Sequence, residues 1–118
     1  MEMAIVVTIA GIIATVAMVN YSTTIEKFRA REGEEILIAL FGAQKRYALD
    51  HGGTYTNNFA NLDVEPRESP YFGIPVVGTV VLVQVTRVGA PTTYSLSINS
   101  LGVITCASAG TICQKLGY

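Results

Sequence analysis

The first nineteen residues, MEMAIVVTIAGIIATVAMV, are apolar except for Glu2, Thr8 and Thr15. As an α-helix this run would be about 28 Å long, close to the hydrocarbon thickness of a bilayer. A soluble domain of this size has no use for so long a helix that is apolar on every side. The run is therefore a membrane span, or a helix that buries all its faces against copies of itself. Its threonines suit either role, because their hydroxyls can bond back to helix carbonyls. A cleaved signal peptide would have basic residues before the run and a small-residue cleavage site after it. Here an acid precedes the run and Asn20-Tyr21-Ser22 follows, which argues against cleavage after it.

Beyond Val19 the pattern turns amphipathic without a break. Ser22, Thr23 and Thr24 could cap a new helix, but no glycine or proline ends the old one. Glu26, Lys27, Arg29, Arg31, Glu32, Glu34 and Glu35 form a charged band, read as a solvated surface with pairs such as Glu26–Arg29. Ile36, Leu40, Ala43 and Tyr47 then recur at helical spacing, widened by Leu37, Phe41 and Ala48 into a stripe that should pack on a sheet. Gly33 and Gly42 mark bends or close contacts within it. Asp50-His51-Gly52-Gly53 ends the helix. Residues 54–75 are a long connection whose Tyr55, Phe59, Leu62, Tyr71 and Phe72 should pin it to the domain.

Val76 to Val88 is β-branched and reads as one strand, with Gly78 near its start. Gly89-Ala90-Pro91 is a turn. Thr92 to Asn99 alternates, with Tyr94, Leu96 and Ile98 on one face and Ser95, Ser97 and Asn99 on the other. Ser100-Leu101-Gly102 turns again into a short strand, Val103 to Cys106. The expected class is α+β: a long N-terminal helix, its apolar half protruding and its amphipathic half packed on a small three-stranded antiparallel sheet. The units are an apolar helix (1–21), its amphipathic continuation (22–53), and the connection, sheet and C-terminal region (54–118).

Length sharpens the picture. A compact chain of 118 residues has a radius of gyration of about 13–14 Å. A helix from Met1 to Leu49 would be roughly 73 Å long, so half of it must stand clear. The net charge of −1 gives no broad nucleic-acid footprint. Cys106 and Cys113 would remain thiols in the cytosol; the apolar run tips the balance toward export and one disulfide. The loop they close, about eight residues, would stabilise the fold by about 2.5 kcal/mol and staple the tail to the last strand.

Two features of the apolar run bear on function. Ala10, Ala14 and Ala17, with Gly11 beside them, share a helical face where small side chains permit close backbone approach, although such residues are also ordinary in a span. Glu2 would sit at a bilayer interface, favoured by the helix dipole, or would await a cationic partner on another chain.

The stretch Met1 to Ala14 resembles the N-terminal signature of type IV pilins and the related type II secretion pseudopilins. Glu2 matches the family's glutamate, Gly11 its glycine, and Tyr21 the tyrosine that closes the run, in ungapped register over about twenty positions. The resemblance implies that Glu2 pairs with the N-terminal amine of a neighbouring subunit. It implies a homopolymer: a helical extracellular pilus (fimbrium) serving adhesion, motility or DNA uptake. Subunits would be held in the inner membrane before assembly, and would need a prepilin peptidase and pilus assembly machinery. It also implies a loop exposed on the filament and surface contacts carried by the disulfide-bounded region.

Two departures stand out. In the family's register the chain begins three residues late, so the methylated N-terminal residue and leader are expected upstream. Met1 is then a mis-called start or the first ordered residue of a longer mature chain. Val19 stands near the place where the family usually has proline, which with the upstream glycine marks where its helix melts in filaments. A type II secretion pseudopilin is the alternative within the family, although the C-terminal cysteine pair and the lack of an evident calcium site lean against the major one. A monomeric single-pass membrane protein displaying a small binding domain is the alternative outside it.

No enzyme, cofactor or metal is expected. His51, the only histidine, falls in a turn, and there is no phosphate loop or CxxC. Asp63, Glu65 and Glu68 are interrupted by Pro66 and Arg67 and lack calcium-loop spacing. The sequon Asn20-Tyr21-Ser22 is read as chance, since an oligomer core would bury it.

Overall fold

In the computed structural model a single helix, α1, runs from Glu2 to Asp50. Described are residues 2–66, 69–89 and 93–118, with Val19 and Asn20 as backbone only. Outside this set fall Met1, the side chains of Val19 and Asn20, Arg67 and Glu68 of the acidic loop, and Ala90, Pro91 and Thr92, expected as turn and strand start. The molecule measures 76 × 24 × 22 Å, with a radius of gyration of 19.6 Å. The excess over a compact chain is the helix. Residues 2–18 are exposed throughout, and burial begins only at Thr23.

The upper part of α1 lies across a four-stranded antiparallel sheet. The strands are β1 (Val76–Val77), β2 (Val81–Thr86), β3 (Tyr94–Asn99) and β4 (Ile104–Ser108), in the order β1-β2-β3-β4. The single strand expected over Val76–Val88 is thus two, and the sheet has four strands rather than three. The cause is local. Val77 pairs with Val83, and the Gly78 N–H donates to the Leu82 carbonyl. A side chain at Gly78 would meet the Val81 carbonyl oxygen at 2.7 Å, so only glycine fits the turn. A register shift between Val81 and Val83 then lets the consecutive Leu82 and Val83 both face inward.

β3 keeps its expected alternation, with Tyr94, Leu96 and Ile98 buried against α1. Its outer face continues through Gln84, Thr86 and Thr105, polar but uncharged, and the Ser97 and Thr105 hydroxyls bond to each other at 2.9 Å. Gly102, in the left-handed conformation, turns β3 into β4, while the Asn99 carboxamide oxygen accepts from the Leu101 and Val103 amides. A short helix, α2 (Ile112–Leu116), follows, and the Cys106–Cys113 disulfide ties it to β4.

The stripe on α1 is wider than the apolar pattern suggested. Ile36, Leu37, Leu40, Ala43 and Ala48 are buried, and Phe41 and Tyr47 are half-buried. Ala30 and Gly33 extend it downward and Gln44 interrupts it. The Gln44 side chain, fully buried, donates to the Thr56 and Leu82 carbonyls at 2.7 and 3.3 Å and accepts from the Thr56 amide at 3.1 Å. It ties the connection and β2 to the helix without leaving a polar atom unsatisfied. Phe72 is buried, and Tyr55, Phe59, Leu62 and Tyr71 pack against the core from the connection.

Of the two mid-helix glycines, Gly33 marks a close contact. A Cβ there would stand 2.7 Å from Cζ of the buried Phe72 ring, whereas one at Gly42 would meet only the Arg46 guanidinium at 3.5 Å. Replacing glycine by alanine in a helix gains about 1 kcal/mol, and overpacking a core costs about 1–3 kcal/mol. Thermal unfolding of the full chain in detergent should therefore show a lower midpoint for Gly33→Ala and a higher one for Gly42→Ala. Equal shifts in the two variants would mean that Phe72 does not press on the helix.

Candidate assembly surface and its junction with the domain

Every described position from Glu2 to Met18 is exposed, including Ile5, Ile9, Ile12, Ile13 and Val16 at 52–62%. The Thr8 hydroxyl donates to the Ala4 carbonyl at 2.7 Å, and that of Thr15 to Ile12 at 2.7 Å, so neither breaks the apolar surface with a free polar group. The helix is long and apolar enough to cross a membrane.

At about 100° per residue, Ala10, Ala14, Ala17 and Tyr21 fall within about 60° of one another. The face that packs on the sheet, through Glu26, Ala30, Gly33, Leu37 and Gln44, lies about 150° further round. The small-residue face thus looks away from the domain. Among the described residues, nothing beyond the local helix backbone lies within 4 Å of where a Cβ at Gly11 would stand. Glu2 is exposed in the first turn of α1, at the far end from the domain. Tyr21, 67% exposed, sits at the foot of the domain beside a cleft. The structure therefore aligns Ala10, Ala14, Ala17 and Tyr21 and sets Glu2 apart from them. Cys106 and Cys113 lie across the domain, on the side of the sheet edge and α2.

Where α1 enters the domain, its first buried residue is charged. Glu26 is 7% exposed, which corrects its reading as part of a solvated band. Its Oε1 accepts from Arg87 Nε at 2.8 Å and from the Tyr94 hydroxyl at 2.9 Å. Its Oε2 faces Arg29 at 3.5 Å, so the expected i,i+3 pair exists but is the weaker one. Arg87, 6% exposed, also donates through Nη1 to the Tyr71 and Val88 carbonyls. Both Arg29 and Arg87 stand over the Tyr71 ring, at 4.6 and 5.4 Å. Burial pushes the Glu26 carboxyl up, but the hydrogen bonds from Arg87 and Tyr94 and the two guanidinium charges outweigh it. The net value lies below the usual carboxylate range. Burial, then the bond to Glu26, pushes the Tyr94 hydroxyl well up.

Elsewhere the polar groups serve the fold. His51 stacks on Tyr47 with ring centroids 3.9 Å apart, and Asp63 takes a two-point ion pair from Arg46 at the surface. Among the described residues no three His, Cys, Asp or Glu side chains gather.

No family model, curated protein or solved structure matches this chain. What stands is the architecture: a long apolar N-terminal helix that could anchor the chain in a membrane, a small antiparallel sheet and a disulfide. That combination is compatible with a pilin-like fold.

Removing one partner of a buried pair strands the other charge and costs about 3–5 kcal/mol. Arg87→Met should destabilise the full chain by about that amount in denaturant titrations. The pH dependence has a definite sign. Because Glu26 titrates lower when folded, its contribution is complete above the unfolded value near 4.5 and fades as pH falls through the lower folded value. Glu26→Gln should flatten that acid limb, and an unchanged limb would show that Glu26 does not govern it.

Proposed function

We propose that this chain is a structural subunit rather than a catalyst: a type IV pilin that polymerises through its N-terminal helix into an extracellular filament. The observation that carries the reading is the bare apolar stem. Among the described residues no part of the domain covers residues 2–18, and lipid or identical stems would do so. Lipid already keeps water off the stem, so hydrophobic burial barely distinguishes membrane from filament. The preference for polymer has to come from packing along Ala10, Ala14 and Ala17 and from Glu2 finding a cation. Stems that meet along this face leave their domains on the outside, because the sheet binds the opposite side of α1. The N-terminal resemblance at Glu2, Gly11 and Tyr21, and the disulfide beside the tail, support the same reading.

Such a subunit waits in the inner membrane until assembly machinery extracts it, after cleavage by a prepilin peptidase. A monomeric membrane-anchored display domain is the second reading, because the same stem would serve it.

Glu2→Ala should leave the domain folded and membrane-held while filament yield falls, as seen by electron microscopy of material sheared from the native host. Ala14→Leu should do the same by blocking close approach. Normal filaments in both variants would remove Glu2 and the small-residue face from the assembly contact. Absence of any filament from the unaltered chain would favour the display reading.

A further inference from the structure

A cleft of about 390 Å³ opens where the stem joins the domain, between the foot of α1 and α2. Its walls include the apolar Tyr21, Ile25 and Ile112 and the cations Arg29 and Lys115, with Glu26 beneath them. That one carboxylate is already shared by two guanidiniums, Arg87 and Arg29, so the cleft is left net positive. Lys27 is exposed two residues before Arg29. Among the described residues neither the Lys27 nor the Lys115 ammonium has an ion-pair or hydrogen-bond partner. The next acids up the helix, Glu32 and Glu34, do not line this cleft; they accept from the Ser69 and Tyr118 hydroxyls.

The height of this cleft matters. Ile25 stands about 9 Å above Val19 along the axis, and Arg29 about 15 Å. The headgroup layer of a bilayer is about 5–8 Å deep on each side. Side chains on a helix lean toward its N-terminus, so Lys27 and Arg29 reach down toward the membrane plane. An apolar wall continuous with a membrane-spanning stem, topped by more cations than acids whose long side chains lean toward the headgroup layer below them, matches a phospholipid of net negative charge.

We propose that the cleft seats the headgroup of an anionic phospholipid, its phosphate between Arg29 and Lys115 and its acyl chains alongside the stem by Tyr21. The lipid holds the domain down on the bilayer in a set orientation while the chain is membrane-held. A phosphatidylcholine headgroup would bring a quaternary ammonium against the same cations and bind less well. The inference rests on the stem being a membrane anchor, and the experiment separates the two.

The full chain is reconstituted into vesicles of phosphatidylcholine alone and of phosphatidylcholine with phosphatidylglycerol, floated, and then released for native mass spectrometry of retained lipid. Flotation with phosphatidylcholine alone tests the anchor, and failure there overturns both readings. With the anchor intact, retained lipid should be enriched in phosphatidylglycerol, by about fivefold for each engaged cation. Lys115→Gln should lose about one such factor while keeping its thermal midpoint. Equal retention of the two lipids, or enrichment unchanged in Lys115→Gln, overturns the headgroup site and leaves the anchor standing.

Discussion

A helix of 49 residues on so small a domain cannot bury both of its halves, and everything else follows from that mismatch. Nine large apolar side chains, from Met3 to Met18, are left exposed on the stem. Each is worth about 1.5–3 kcal/mol when fully buried, so together they represent about 14–27 kcal/mol. A domain of this kind has only about 5–15 kcal/mol of stability in all. The stem's surface is therefore comparable to the whole folding free energy, and it cannot be left to water. The sheet packs on only the upper half of the helix, and the lower half is left bare of the domain.

The domain grips that helix with two polar pins on an otherwise apolar face. Glu26 bonds Arg87 and Tyr94 at the foot, and Gln44 bonds Thr56 and Leu82 near the top. Five turns separate them, about 27 Å, so they share one face of the helix. Apolar packing alone tolerates sliding and rotation. A slip of one residue would swing Glu26 by about 100° and leave two buried charges apart. A buried ion pair adds little net stability over apolar replacements, yet it penalises wrong registers heavily. The pins thus fix which way the stem's small-residue face points relative to the domain. That direction is what would make one subunit equivalent to the next.

Legibility in the sequence followed the strength of each local pattern. The apolar run, the stripe from Ile36 to Ala48, the alternation of β3 and the cysteine pair each repeat a simple rule, and the structure keeps them. Gly78 hid the first hairpin, because a run of valines has no asparagine, aspartate or proline to announce a turn. Glu26 hid for a different reason. It sits among seven charged residues, and its partner is 61 positions away on β2's end. The signal was present but faint: Glu26, Ala30, Gly33 and Leu37 continue the buried spacing downward, and Arg87 is the lone charge closing a strand. Gln44 shows the same limit, since one amide inside an apolar stripe does not say which carbonyls it will meet.

The position of Glu26 also separates two demands that would otherwise conflict. On the proposed reading the stem would present one apolar surface to two environments, lipid and filament, so it could not carry the polar groups that specify orientation. Those groups are found just above it, in the first two turns beyond Tyr21. There Glu26 is buried against the sheet, Arg29 pairs with it and stands over the Tyr71 ring, and Lys27 is exposed. Specificity is thus concentrated in a short collar between a greasy rod and a hydrogen-bonded domain. Moving the collar down by three turns would set its charges within the apolar run, where in a bilayer each would cost about 2.5–3.5 kcal/mol. Moving it up would leave the foot of the helix free to pivot on the sheet. The collar sits just above the apolar run, where it holds the domain to the stem without interrupting that exposed surface.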